Sequence, residues 1–137
     1  MIPPLQRILC VDDDDDILQI TQFALETLGG FRVSTCRDSR LAVSEAKSFR
    51  PDLILTDAMM PEMDGPATLR ALRAEEALSE IPVFFITGKV LPEEVASFLE
   101  MGAAGVISKP FDPLTLSQQI ESLWAGFHQS RRGPAPQ

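Results

Sequence analysis

Two features of the chain predict a doubly wound α/β domain. Short apolar runs such as "ILCV", "LILT" and "VFFIT" recur without strand-type alternation, which suits strands covered on both faces of a parallel sheet. Amphipathic segments fall between these runs, so that the chain reads β-α five times over. Such an order closes most simply into an open parallel sheet with right-handed crossovers.

The expected strands are Arg7–Val11, Arg32–Cys36, Leu53–Thr56, Val83–Thr87 and Gly105–Ser108. In the first helix Ile17, Ile20, Ala24, Leu25 and Leu28 repeat at helical spacing, and Gly29-Gly30 supplies the stop. Leu41, Val43, Ala46 and Phe49 mark a second, shorter helix that Pro51 ends. Pro66 suits the first turn of a third helix running to about Leu78, and Pro92 that of a fourth running to about Met101, with Gly102 as its C-cap. Leu116, Ile120, Leu123, Trp124 and Phe127 form the apolar stripe of the last helix, in which Trp124 is expected in the core.

The 137 residues fit one domain. The expected division is an N-terminal extension over residues 1–6, the domain over 7–127, and a flexible tail over 128–137, where "QSRRGPAPQ" lacks apolar periodicity. The lone histidine, His128, is expected to be an exposed residue at the edge of that tail. The net charge of −8 argues against binding nucleic acid or an anionic membrane surface. No apolar run reaches the roughly 18 residues of a membrane span, and the start "MIPPLQR" has no signal-peptide core. Cys10 and Cys36 both lie in strand-like runs and read as buried thiols. Together these point to the cytoplasm.

In a doubly wound fold, ligands bind beyond the carboxyl ends of the strands. Asp12 and Asp13 follow the first strand, Asp57 the third, Thr87-Gly88 end the fourth, and Lys109-Pro110 follow the fifth. A parallel sheet gathers all of them at one crevice. Two like charges about 4 Å apart repel by roughly 4 kcal/mol at an effective dielectric of 20, so three carboxylates call for a cation. An all-oxygen set with room for water favours Mg²⁺. With the Lys109 ammonium and the Thr87 hydroxyl added, the set suits a phosphoryl group, and a carboxylate is its natural acceptor.

The stretches "ILCVDDDDDIL", "PDLILTDAMMPEMDG", "PVFFITG" and "GAAGVISKPF" resemble the response-regulator receiver domain, the CheY-like family of two-component signalling, over about residues 7–127. The resemblance implies a flavodoxin-like (βα)5 fold with strand order 2-1-3-4-5. It implies that Asp57 is the phosphoacceptor, that Asp12 and Asp13 hold Mg²⁺ with the backbone carbonyl of Met59 as a further ligand, and that Thr87 and Lys109 contact the phosphoryl group. It implies a cis bond at Lys109-Pro110. It also implies a histidine kinase or phosphotransfer protein as donor, and a monomer or a phosphorylation-dependent dimer. The domain would be an enzyme only in catalysing its own phosphorylation and dephosphorylation. With about ten residues after the last helix, output is expected through protein contacts rather than an attached domain.

Within the aspartate run, Asp12 and Asp13 are then the metal pair. Asp15 and Asp16 are expected to open the first helix, one of them as its N-cap, and Asp14 has no assigned role. A calcium loop of the EF-hand type is excluded, because Ile17 and Phe23 stand where that loop needs Gly and Glu. In "MMPEMDG", Met60 is expected to pack, Pro61 to shape the turn and Gly65 to adopt an unusual backbone angle; Met63 belongs to the same loop rather than to a soft-metal site. Met59 and Lys89 stand two residues beyond Asp57 and Thr87, where the family tunes phosphoryl lifetime; Lys89 reads equally as a solvated lysine. Val106 departs from the family, which often has Tyr or Phe there as a switch. Two competing readings are a partner-binding pseudo-receiver, which would normally lack Asp57, Thr87 or Lys109, and a haloacid-dehalogenase-type phosphohydrolase, whose "DxDxT" pattern and cap domain are missing.

Overall fold

The structure is a computed structural model that describes residues 2–60 and 63–131. Strands β1 (Arg7–Val11), β2 (Arg32–Cys36), β3 (Leu53–Asp57), β4 (Val83–Thr87) and β5 (Gly105–Ser108) form one parallel sheet in the order β2-β1-β3-β4-β5. The expected fold class and strand order both hold. Every residue of β3 and β4 is buried, as runs without alternation require.

The helices are α1 (Asp15–Phe23), α2 (Ala42–Phe49), α3 (Gly65–Ala74), α4 (Pro92–Glu100) and α5 (Leu116–Arg131). Helices α2, α3 and α4 cover one face, where Ala42, Ala46, Leu69, Leu72 and Phe98 meet Leu9, Val11, Ile54, Val83 and Phe85. On the other face α1 and α5 bring Leu18, Leu25, Leu116, Ile120 and Trp124 against Ile8, Cys10, Leu53, Leu55, Phe84 and Ile107. The two thiols therefore lie in different cores. Burial pushes both thiol pKa values upward, the Cys10 value furthest, which keeps them protonated.

Several boundaries differ from the sequence reading. Helix α1 passes into a π-helical turn over Ala24–Leu28, so the buried stripe is Leu18, Thr21, Ala24 and Leu25. Ile20 and Leu28, both members of the helical repeat, are exposed. The π turn rotates the face by one residue at Leu28, which a 3.6-residue pattern cannot register, whereas Ile20 precedes the turn and lies off the Leu18, Thr21, Leu25 line of the α-helix itself. Helix α3 stops at Ala74, and a separate 3-10 turn carries Glu76–Leu78. Arg50 closes α2 in the left-handed region at φ 55°. Met101 caps α4, and Gly102 follows at φ +112°, where a side chain would be strained.

Helix α5 continues through Arg131, past Phe127, where the sequence reading began a tail. His128 is accordingly a helical, half-buried residue. Its ring lies edge-on to Trp124 at 4.3 Å and to Phe127 at 5.1 Å. Residues 132–137 of the expected tail lie outside the described residues.

Gly29 ends the π turn. A Cβ there would stand 2.8 Å from the Leu25 carbonyl oxygen and 2.9 Å from the Phe31 ring. We expect Gly29→Ala to lower stability by about 1–3 kcal/mol through overpacking, read as a reduced urea midpoint at unchanged slope; an unchanged midpoint would mean that the turn relaxes freely.

Candidate functional site

The parallel sheet delivers its carboxyl ends to one edge, and the β1 and β3 ends are adjacent there because these strands pair directly. Asp12 follows β1 and is buried, Asp13 is exposed, and Asp57 is the buried last residue of β3. One carboxylate oxygen from each of the three lies within 4.8 Å of the others. Lys109, just beyond β5, reaches back across the sheet. Its Nζ donates to Asp12 Oδ2 at 3.1 Å and to Asp57 Oδ2 at 3.0 Å. The backbone holds the lysine in place: the Lys109 N–H donates to the Thr87 carbonyl at 2.9 Å, and the Lys109-Pro110 bond is cis, as expected.

Burial raises the Asp12 pKa, and the Asp14 N–H and Lys109 offset only part of that effect. Burial alone would lower the Lys109 pKa. Its hydrogen bonds to Asp57 and Asp12 outweigh that and hold it above the ordinary 10.5. The lysine is thus a fixed positive charge between two carboxylates that would otherwise repel.

The other predicted residues fall as follows. The Met59 N–H donates to Asp57 Oδ1 at 3.0 Å. Its amide therefore orients the Asp57 carboxylate, a contact the sequence reading, concerned with the Met59 carbonyl, did not anticipate. The Met59 side chain is exposed, whereas Met60 is buried as expected. Thr87 is buried at the end of β4, and its Oγ1 accepts the Lys89 N–H at 3.0 Å. The exposed Lys89 thus shapes the site through its amide. Val106 packs partly against the α2–α3–α4 core. Pro61 lies outside the described residues.

Two assignments are corrected. The N-cap of α1 is Asp14, whose Oδ1 accepts from the Asp16 N–H at 2.9 Å and the Ile17 N–H at 3.3 Å, while Asp15 and Asp16 occupy the first turn. The Asp14 N–H in turn donates to Asp12 Oδ1 at 2.9 Å, so the helix start and the acidic pair are one hydrogen-bonded unit. Gly65 has no left-handed angle; it opens α3, and a Cβ there would stand 2.7 Å from Ala58 Cα. Glycine is needed for close backbone approach, and the Gly65 N–H seals it by donating to the Ala58 carbonyl at 2.9 Å.

A further feature is an apolar groove of about 350 Å³ beside Lys109, lined by Ile17, Ile20, Pro110, Phe111 and Pro113. Exposed Ile20 and Phe23 stand three residues apart on α1. The sequence reading counted Ile17 and Ile20 in the helical repeat that defines α1 and assigned them no surface role, so it missed this surface.

Residues 8–121 match the family model described as "Response regulator receiver domain". The chain belongs to the response-regulator receiver family. This receiver is 31% identical over 118 residues to the alkaline phosphatase synthesis transcriptional regulatory protein PhoP of Bacillus subtilis, covering 86% of this chain and 48% of that protein. It spans about half the length of the curated relatives it matches. Among solved structures, the chemotaxis response regulator CheY4 of Vibrio cholerae superimposes with a TM-score of 0.80 at 31% identity, covering 88% of this chain and 99% of that one. The signal receiver domain of a signal transduction histidine kinase from Syntrophus aciditrophicus gives 0.74 at 33% identity, covering 96% and 97%.

The donor set of the receiver fits Mg²⁺. Three carboxylate oxygens converge, all hard ligands, and exposed Asp13 leaves a side open to water. Asp12, Asp13 and Asp57 would hold the ion, and the Met59 carbonyl is the further ligand that the resemblance implies.

The Lys109 bridge is testable. In Lys109→Met the buried Asp12 and Asp57 lose their counter-charge, and metal-free stability should fall by about 3 kcal/mol at pH 7. Because the folded-state pKa of Lys109 is raised, the bridge contributes fully below 10.5 and is lost as pH rises through the higher folded value. The gap between native and variant, measured by urea unfolding, should therefore hold at neutral pH, close at strongly alkaline pH as Lys109 loses its proton, and narrow at acid pH as Asp12, whose pKa is raised, gains one. Added Mg²⁺ should stabilise the variant more than the native chain.

Proposed function

We propose that this receiver accepts a phosphoryl group on Asp57 from a phosphohistidine of a sensor kinase or phosphotransfer protein, in the cytoplasm and with Mg²⁺ bound. The observation that carries this reading is the Lys109 ammonium held between Asp12 and Asp57 within the converging carboxylates. A carboxylate oxygen of Asp57 attacks phosphorus as the bond from phosphorus to the imidazole nitrogen breaks, and the imidazole leaves with the electron pair. Bound Mg²⁺ supplies charge neutralisation for the phosphoryl oxygens. Lys109 adds a second positive charge at the same place, and the Met59 N–H keeps the acceptor carboxylate from rotating.

The donor's landing place is the apolar groove beside Lys109 together with exposed Ile20 and Phe23. Asp13, Asp14, Asp15 and Asp16 are exposed at the adjoining helix start. A second copy would bring like charges together there, so the surface suits a donor whose apolar face is flanked by Lys or Arg. Phosphorylation then changes affinity for a downstream protein through the surface running from Thr87 to Val106. Valine has no ring to swing inward, so transmission beyond Thr87 to β5 and α5 is weaker than in receivers with an aromatic switch. A large rearrangement at Val106 in a phosphate-mimic complex would contradict that weakening.

Intact-protein mass after incubation with a small acyl-phosphate donor tests the chemistry. One added phosphoryl group is expected, absent with a chelator and absent in Asp57→Asn. A stable chain that binds Mg²⁺ yet shows no adduct and no release of phosphate from the donor would favour the phosphate-independent reading. The landing surface has its own check. Phe23→Asp should slow transfer from a phosphorylated histidine protein by about tenfold or more while leaving labelling by the small donor unchanged.

A further inference from the structure

The family match covers residues 8–121. The short N-terminal segment and the distal half of α5 lie on either side of that stretch, and the structure joins them. The Trp124 indole N–H donates to the Pro3 carbonyl at 2.9 Å, across 121 residues of sequence. Ile2 and Leu5 pack against the core that contains Leu25, Phe31, Ile120 and Trp124. Trp124 is buried, although it lies three residues beyond the family match. The segment then runs into β1: the Gln6 carbonyl accepts the Arg32 N–H at 2.8 Å, and Asp52 Oδ2 accepts the Gln6 and Arg7 N–H groups at 2.9 Å each.

The chemistry of "IPPL" explains the arrangement. Pro3 and Pro4 have no N–H, so they cannot extend the sheet ladder. Each proline also biases the residue before it toward extended or polyproline backbone, which leaves the segment stiff before it docks. Pro3 and Pro4 are themselves exposed, so the segment docks through the Pro3 carbonyl and through Ile2 and Leu5, while the two prolines hold it extended. Trp124 provides the aromatic surface and the one donor in a single side chain.

We propose that Trp124 and the apolar surface around it form a seat for an extended proline-containing segment, filled in this chain by Ile2–Leu5, and that the seated segment fastens the distal half of α5. The seat lies apart from the phosphoacceptor site and is independent of the phosphoryl-transfer reading.

The test is deletion of residues 2–5, with retention of a cooperative urea transition as the control for folding. Trp124 is the single tryptophan, so its fluorescence reports the seat directly. Emission should shift to the red, acrylamide quenching should rise, and amides of residues 122–131 should exchange about tenfold faster. A synthetic peptide of the sequence MIPPLQ should reverse the shift saturably, and the same peptide with both prolines replaced by alanine should bind several-fold more weakly. In the full chain, Trp124→Phe keeps a ring but removes the donor, and it should speed exchange of residues 5–7 and 122–131. Unchanged emission and exchange on deletion would overturn the proposal. So would loss of the cooperative transition, which would make the segment an integral part of the core rather than a separable occupant. A full chain that runs as a dimer, and as a monomer after the deletion, would place the segment in a second copy and overturn the arrangement within one chain.

Discussion

One half-buried cation between two buried carboxylates is the constraint around which the functional end of this receiver is arranged. Asp12 and Asp57 terminate neighbouring strands, and at that distance their charges repel unless something positive stands between them. Lys109 meets this need from the far edge of the sheet. Its position depends on the β5 register, on its amide bond to the Thr87 carbonyl and on the loop that follows. Thus the β1, β3 and β5 ends are coupled electrostatically as well as through the sheet. The phosphoryl group would enter a site already biased toward anions at one atom and toward cations at three.

The surrounding backbone keeps these charges from relaxing apart. Asp14 caps α1 with its side chain while its amide holds Asp12. Gly65 brings the start of α3 against Ala58, immediately after Asp57, and the Met59 amide holds the second oxygen of Asp57. The loops after β1 and β3 therefore each serve both a helix terminus and a carboxylate. The opposite edge has no comparable charge cluster among the described residues. There the chain is fastened by apolar packing and by hydrogen bonds such as that from Trp124 to Pro3 and the pair from Gln6 and Arg7 to Asp52.

Much of this was legible in the residues. Unalternating apolar runs announced a sheet covered on both faces, and all five strands lie where those runs are, with β3 one residue longer. Asp12, Asp13, Asp57, Thr87 and Lys109 could be placed together because a parallel sheet gathers its strand ends, a rule of topology that needs no coordinates. The α1 stripe was misread because its buried face is centred on Leu18, Thr21 and Leu25, which leaves Ile20 to one side, while the π turn over Ala24–Leu28 shifts the face only beyond it, at Leu28. The role of Gly65 was misread because a turn glycine and a close-approach glycine look alike in sequence. His128 was misread because the final helix continues past the last strong apolar position.

The sequence alone determined the β-α alternation, the acidic end of the sheet and the residue types of the site, since periodicity acts through near neighbours and a parallel sheet gathers its strand ends by simple topology, while the strand order came from the family resemblance. Only the tertiary structure decided that Lys109 bridges Asp12 and Asp57, across 97 and 52 residues, that Met59 contributes its amide, and that Trp124 holds Pro3. Those contacts depend on the packing of elements distant in sequence, and no local pattern records which distant donor will meet a given acceptor.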